Sequence, residues 1–293
     1  MDRLTCMTVF SRVAATRSFS AAARELGISQ ATASKHVQML EHWLGTRLLN
    51  RTTRQVGLTD AGLNFYLQAT RILEDMEVAR HAGQGGGLRG HLRVTVPVGF
   101  GSTRLGVMLA AFMQQNPELA ISVTTGERPV DLIDEGYDLA LVASPHALDD
   151  PAFVVQRLVS LRCVVCAAPT YLTAQGTPAV PADLARHVCL IDYRHARDVW
   201  CFSGPDGETK IAVNGRFRTG NGLLRREVAI AGGGVLLTLE ILAEADIAAG
   251  RLLPLLPEYE PPRVRLDAVC PAHRVALPKV QQFVSFLAAR LRD

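Results

Sequence analysis

The sequence predicts an α/β protein with a small helical head, a long linking helix, and a larger remainder of alternating strands and helices. Three observations predict it. Residues 1 to 59 hold eight Lys or Arg against three Asp or Glu, a balance of +5, while residues 60 to 89 (three against four) and 90 to 293 (twenty against twenty-one) each come to −1. Apolar residues recur at spacings of three and four as far as His81, then give way to short apolar runs divided by turn residues. A glycine run, Gln84-Gly85-Gly86-Gly87, separates the two patterns and reads as a hinge, because glycines neither prefer a backbone conformation nor pack side chains. At 293 residues, 48% of them apolar and 20% charged, the chain suits two or three domains of ordinary composition. It holds neither the ~18 uninterrupted apolar residues of a spanning helix nor the apolar core of a signal peptide, so a cytoplasmic protein without a membrane partner is expected.

In the head, Leu4, Met7, Phe10, Val13 and Ala14 share one helical face, which predicts a first helix over Leu4 to Thr16. Ser18 or Ser20 can cap a second helix whose Ala22, Ala23 and Leu26 form a small-residue face, and Gly27 sits where a helix ends left-handed. Ser29 caps a third, with Ala33, Val37 and Leu40 as its apolar stripe and Gly45 as its stop. Two such helices docking across a short turn make a helix-turn-helix. Ser29, Gln30, Thr32, Ser34, Lys35 and Gln38 then lie at the start or on the outer face of the third helix, as donors and acceptors sized for base edges and phosphates. His36 and His42 on the same helix read as solvated side chains or phosphate contacts. The stretch RLLNRTTRQVGLT that follows reads as a two-stranded wing, with Arg51 and Arg54 placed to reach phosphates or the minor groove. The basic excess of residues 1 to 59 is the electrostatic footprint of a nucleic-acid-binding module.

The run FSAAARELGISQATASKHVQMLEHWLGTRLLNRTTRQVGLTDAG resembles the winged helix-turn-helix of LysR-type transcriptional regulators over some sixty contiguous positions, including the AAxxLxxSQ turn and the LLxRTTRxxxLTxAG wing. Ala31 departs where the family commonly has proline, and Leu49 where it often has phenylalanine. The resemblance implies double-stranded DNA with a pseudo-palindromic operator as partner, self-association as a dimer or tetramer, and contact with RNA polymerase.

Thr59 can cap a helix from Asp60 to about His81, whose Leu63, Tyr66, Thr70, Leu73 and Glu77 keep a 3-4-3-4 spacing suggestive of a pairing seam. In the resembling family this helix makes the dimer. Beyond the hinge, strands are expected at His91 to Pro97, Ile121 to Thr125 and Tyr137 to Ala143, with helices at Arg104 to Gln115 and Val130 to Glu135. Such alternation implies a mostly parallel sheet with helices on both faces. The resemblance extends here to the family's two-lobed effector-binding domain, a fold like that of periplasmic solute-binding proteins. It implies a head over 1–59, a linker over 60–89, and an effector domain over 90–293. Lobe 1 would take about 90–160 and 267–293, and lobe 2 about 161–266.

Ligands of open α/β sheets collect at strand carboxyl ends, so Pro97, Val98, Gly99, Phe100 and Ser102, between a strand and a helix, are candidate effector contacts. Thr125 and Ser144 at two further strand ends, and Asn221 opening a helix of the second lobe, join them by resemblance. A small anionic effector, a carboxylate for example, suits such a cleft, although LALVAS lacks an arginine that many relatives carry there. Catalytic signals are weak. Gly99-Phe100-Gly101-Ser102 lacks the third glycine of a dinucleotide loop, and Gly232-Gly233-Gly234 opens no strand-to-helix turn. No GxSxG, HxxxH or HExxH occurs, so no cofactor, metal or catalytic residue is expected. Cys163 and Cys166 form a CxxC, but in a buried strand positions three apart face opposite ways, so both read as core residues. The alternatives are an α/β enzyme fused to a DNA-binding head and an architectural DNA-binding protein, the latter having no use for some two hundred further residues.

Overall fold

The structure, a computed structural model, describes residues 2–51, 56–81, 87–101, 105–126, 131–144, 148–193 and 198–291. They form two compact units: the first runs to His91 and takes in Glu118–Ala120 and Ile133–Gly136, and the second holds the rest. Of the expected hinge only Gly87 is described; residues 84–86 lie outside the described residues.

The first unit opens with α1 (Arg3–Thr16), α2 (Phe19–Glu25) and α3 (Gln30–Leu44). Each begins on a side-chain cap: Asp2 accepts from the amide of Leu4, Ser18 from that of Ala21, and Ser29 from that of Thr32, at 3.1, 3.2 and 3.1 Å. Arg17, Gly27 and Gly45 turn left-handed after the helices, with φ of 51°, 65° and 69°. Cys6, Phe10 and Val13 of α1, Ala22 and Ala23 of α2, and Ala33, Val37 and Leu40 of α3 meet in one buried core. Short β1 (Leu49–Arg51) and β2 (Val56–Leu58) pair antiparallel beside it, with Leu49 opposite Leu58. Leu49 lies in the core, so leucine fills the place of the family's phenylalanine.

The linking helix is α4 (Asp60–His81), and Thr59 caps it by accepting from the amide of Gly62 at 2.9 Å. A Cβ on Gly62 would sit 1.9 Å from the carbonyl oxygen of Leu48, so only glycine lets α4 start this close to the wing. The expected seam needs correction. Tyr66 and Leu73 pack, with Phe65 and Ala69, on the head's own core, whereas among the described side chains of α4 the large apolar ones left exposed are Leu63, Ile72 and Met76. At about 100° per residue the five positions stay on one face, but the edge of that face carrying Tyr66 and Leu73 meets the head's own core and only the edge carrying Leu63 is left outward. The side chain of Glu77 lies outside the described residues.

Beyond α4 the chain continues as β3 (Gly90–Pro97), α5 (Val98–Gly101), α6 (Leu105–Gln115), β4 (Leu119–Gly126), β5 (Leu139–Ser144), β6 (Phe153–Leu161), β7 (Cys163–Ala167) and α7 (Pro169–Gln175). A 3-10 turn at Pro181–Arg186 leads to β8 (Cys189–Leu190), β9 (Val199–Gly204), β10 (Gly207–Ala212), α8 (Gly222–Ile230), β11 (Val235–Leu239), α9 (Glu240–Ala248), β12 (Leu253–Leu255), β13 (Val264–Pro271) and α10 (Pro278–Arg290). A five-stranded sheet in the order β4-β3-β5-β13-β6 centres one lobe, and a four-stranded sheet in the order β12-β7-β11-β8 centres the other. Arg162 alone separates β6 from β7, and residues 256–263 carry the chain back from β12 to β13.

Two expectations fail here. The sheets are mixed: β3–β5 and β8–β11 run parallel, but β13 runs antiparallel to both β5 and β6, and β7 to both β11 and β12. Strands that cross between lobes enter each sheet without an intervening helix, so no βαβ crossover forces them parallel. The helix expected at Val130 to Glu135 is a turn over residues 132–136. Val130 lies outside the described residues. Gly136, at φ 78°, donates to the carbonyl of Ile133, and Tyr137 to that of Leu132, closing the segment before a second turn can form.

Lobe 1 is pinned by a buried cluster. Asp138, just before β5, accepts from the amide of Arg93 on β3 at 3.0 Å, pairs with Arg274 through Oδ1, and lies 3.1 Å from Nζ of Lys279 in the first turn of α10. The side chains of Asp138, Arg274 and Lys279 are 2%, 6% and 2% exposed.

Candidate functional sites: a helix surface in the head and a cleft between the lobes

On α3, burial of Ala33, Val37 and Leu40 leaves Gln30, Lys35 and Gln38 exposed and Ser34 half-buried. Gln30, Ser34 and Gln38 follow at intervals of four and so line one face, with Lys35 beside it. Ser29 Oγ also lies 2.8 Å from Thr32 Oγ1, so these two hydroxyls hold each other and the helix start. Ala31 is exposed in the first turn. His36 corrects its expected role: it is half-buried, and its Nδ1 lies 3.4 Å from Sγ of Cys6, so it faces α1. His42 is exposed.

Arg51 is in β1 opposite Val56, while its side chain, and Arg54 altogether, lie outside the described residues. Sequence reasoning missed Glu41. Its Oε1 accepts from the amides of both Leu48 and Leu49, at 2.9 and 3.1 Å, and so ties the wing's root to α3. A lone acid on a helix gives no local signal of such a role; its partners come seven and eight residues later, beyond the helix's end.

In the second unit the ends of β3 and β5 reach the same edge of their sheet, because the two strands are parallel, and this brings Pro97 and Ser144 to that edge. Pro97, Val98, Gly99 and Ser144 are half-buried, Thr125 is exposed at the end of β4, and Ser102 lies outside the described residues. Phe100 is 1% exposed, which makes it a core residue. From lobe 2, α8 packs on α5. Asn221 is its cap, accepting from the amide of Leu224 at 2.9 Å, and its own amide donates to Thr219 Oγ1 at 3.1 Å. Gly99 and the start of α8 thus come together.

A buried pair that sequence reasoning missed stands beside this edge. Asp192, two residues past β8, lies 2.7 Å from Nη2 of Arg225 on α8, both side chains 7% exposed. Arg225 Nη1 also donates to the carbonyl of Leu237 at 3.3 Å. Gly232-Gly233-Gly234 proves to be the exit from α8 into β11. A Cβ at Gly233 would meet Val228 Cγ1 at 2.5 Å and one at Gly234 the carbonyl oxygen of Val188 at 2.4 Å.

All six cysteines are free thiols. Cys163 and Cys166 lie on β7, and burial pushes their thiols up to about 11 and about 12. Both stay protonated near neutral pH, unsuited to metal or nucleophilic chemistry. His187 is shifted down from 6.5, first by desolvation and less by the nearby Arg186, against the pull of Asp183. Its Nδ1 lies 3.2 Å from the hydroxyl of Tyr171, which accepts from the amide of Val188 at 2.9 Å. No helix among the described residues is long and apolar enough to cross a membrane.

Comparison with known proteins adds direct support. Residues 4–63 match the family model described as the bacterial regulatory helix-turn-helix protein of the lysR family, and residues 85–292 match that of the LysR substrate binding domain. An HTH-type transcriptional regulator of Xanthomonas campestris pv. campestris is 36% identical over 290 residues, covering 97% of this chain and 84% of the relative. The HTH-type transcriptional regulator DmlR of Escherichia coli is 32% identical over 290 residues, covering 96% and 92%. Among solved structures, CrgA, a LysR-type transcriptional regulator from Neisseria meningitidis, superposes with a TM-score of 0.62 at 30% identity, covering 99% of both chains.

Proposed function

The chain belongs to the LysR family of bacterial helix-turn-helix transcriptional regulators, and on that premise we propose that α3 reads operator sequence while a small molecule between the lobes resets the DNA-bound protein. It is a transcriptional regulator with a DNA-binding head and a substrate-binding domain, not an enzyme. Gln30 and Ser34 read base edges, with Gln38 continuing their line; Lys35, Arg51 and Arg54 hold phosphates; Ser29 and Thr32 set the helix start at the groove. The observation that carries this reading is the polar stripe Gln30–Ser34–Gln38, exposed at both ends and half-buried at Ser34, with exposed Lys35 beside it, on a capped helix whose opposite side is core.

The head is taken as residues 1–59, the linker as 60–89, and the effector domain as 90–293. Two chains pair through α4 and present two α3 helices to a pseudo-palindromic site, with half-sites about one turn or a multiple apart. The pairing surface we assign is the face of α4 on which Leu63 stands exposed in the single chain, used in a dimer or a dimer of dimers. The effector is a small carboxylate held near Pro97, Val98, Gly99, Ser102, Ser144 and Asn221, with Thr125 at the rim. Asp192 at that edge is matched by Arg225, so its charge does not oppose an anion. Action on the chromosome puts the protein in the cytoplasm, in contact there with RNA polymerase.

The test is titration of the purified full-length protein onto a fluorescent duplex from immediately upstream of its own coding region, with aliphatic and aromatic carboxylates added in turn. Specific binding is expected about 10³-fold or more tighter than binding to random duplex at the same salt. One carboxylate should shift the midpoint or the stoichiometry. Equal affinity for both duplexes removes the operator reading, and indifference to every carboxylate removes the effector class.

A further inference from the structure

We infer that Leu242 is a wedge between the two lobes, which fixes how far they close and thereby limits the size of molecule the cleft admits. The size limit rests on the cleft reading given above; the wedge does not. Leu242 is the third residue of α9 in lobe 2 and is 5% exposed. One of its methyls, Cδ1, lies under two glycines, one from each lobe. A Cβ built on Gly99, in the short helix α5 after β3, would stand 3.0 Å from Cδ1 and 3.3 Å from Cδ2, and one on Gly222, which opens α8, would stand 3.2 Å from Cδ1. Carbon atoms rest at about 3.5–4.0 Å, so neither glycine can carry a side chain unless the leucine or a lobe moves. Neither has positive φ, so their backbone conformation does not call for glycine. Close approach to Leu242 is what does.

The wedge stands near the axis of any lobe movement. Glu240, two residues earlier, donates its amide to the carbonyl of Arg162 at 2.9 Å, and Arg162 is the single residue between β6 and β7. The Arg162 guanidinium lies 3.8 Å from the carboxylate of Glu240 and 3.9 Å from that of Glu260, on the returning crossover. α9 is thus anchored where both crossovers pass, and its first turn carries the apolar group that lobe 1 meets. Close to such an axis, a small change in side-chain volume becomes a larger change at the cleft mouth. Because the contact is glycine on leucine, closure here is limited by hydrocarbon volume.

A double-mutant cycle on the full chain tests the wedge without knowledge of the effector. Gly99→Ala overpacks the contact and Leu242→Ala empties it, so each should lower the melting temperature of the second unit. The combined variant, whose new Cβ fills part of the vacated space, should melt above the value expected from adding the two losses. Gly99→Ser with Leu242→Val repeats the cycle more gently if Leu242→Ala does not fold. Strict additivity in both cycles overturns the wedge. The size limit is tested with benzoate and 1-naphthoate as probes: 1-naphthoate should stabilise Leu242→Ala, or Leu242→Val, more than it stabilises the parent. No such gain overturns the size limit. Coupling together with a naphthoate gain, in a protein whose DNA binding ignores every carboxylate, would sink the effector reading and leave the wedge standing.

Discussion

Replacing Asp138 with asparagine should strongly destabilise the effector domain. The substitution keeps the side chain's size and an oxygen for the Arg93 amide, but removes the charge that Arg274 and Lys279 both face. With the three side chains 2%, 6% and 2% exposed, water can do little to replace it. Breaking a buried ion pair from one side costs about 3–5 kcal/mol. In a domain of about two hundred residues each kcal/mol shifts the midpoint by about 2–4 °C, so a fall of roughly 6–20 °C is expected. Lys279→Met makes the contrast, since it removes one charge, leaves Asp138 paired with Arg274, and keeps an unbranched apolar stem in the same space; a smaller loss than that of Asp138→Asn is expected. Calorimetry of the full-length protein, resolving the domain's transition, reads both. A loss below about 1 kcal/mol in Asp138→Asn, or a larger loss in Lys279→Met than in Asp138→Asn, would refute the idea that this carboxylate pins α10 and the returning chain to β3 and β5.

Three further outcomes are expected. Because the folded protein holds His187 below its ordinary 6.5, the unfolded chain binds the proton more readily; this stability is complete above pH 6.5, falls as pH drops through the interval down to the lowered folded value, and then levels off. Chemical denaturation against pH should show that decline, and Tyr171→Phe should leave it in place, since burial is its main cause, while costing about 1–3 kcal/mol at neutral pH through the Val188 amide left without its acceptor. Glu41→Ala should cost the head about 2 kcal/mol, since the amides of Leu48 and Leu49 lose their shared acceptor, and Glu41→Gln under half as much; equal losses by circular dichroism would show that the hydrogen bonds do not matter. Leu63→Glu should lower the mass seen by light scattering and the operator affinity together, whereas Leu73→Glu should unfold the head, because Leu73 packs on its core. Unchanged mass and affinity in Leu63→Glu would remove that face from the pairing surface.

The head was legible in the sequence because its determinants are local. The caps Ser18 and Ser29 act within three residues of themselves, and Gly27 and Gly45 turn left-handed where the helical pattern ends. Arg17, left-handed after α1 without being glycine, carried no such mark. Beyond the linker the determinants lie far apart in the chain. Asp138 meets Arg274 across 136 positions, and β13 enters its sheet against β5 and β6 from the other end of the domain, so local alternation suggested parallel strands that the topology does not have. Leu132 and Ile133 looked like helix residues because their spacing fits, but Gly136 closes the segment after one turn. Among the residues expected to meet an effector, Phe100 turned out buried and Gly99 packed against Leu242, and the Asp192–Arg225 pair had no signature in either segment.

The central claim, that α3 reads DNA sequence, is tested most directly by measuring affinities of the parent, Gln30→Ala and Lys35→Ala for a panel of operator duplexes varied one base pair at a time, at two salt concentrations. Gln30→Ala should lose about 1–3 kcal/mol on the parent operator and become indifferent to the base at one position of each half-site. Lys35→Ala should weaken every duplex alike and reduce the salt slope by about one. A Gln30→Ala protein that keeps the parent's full base preference at every position would contradict the account.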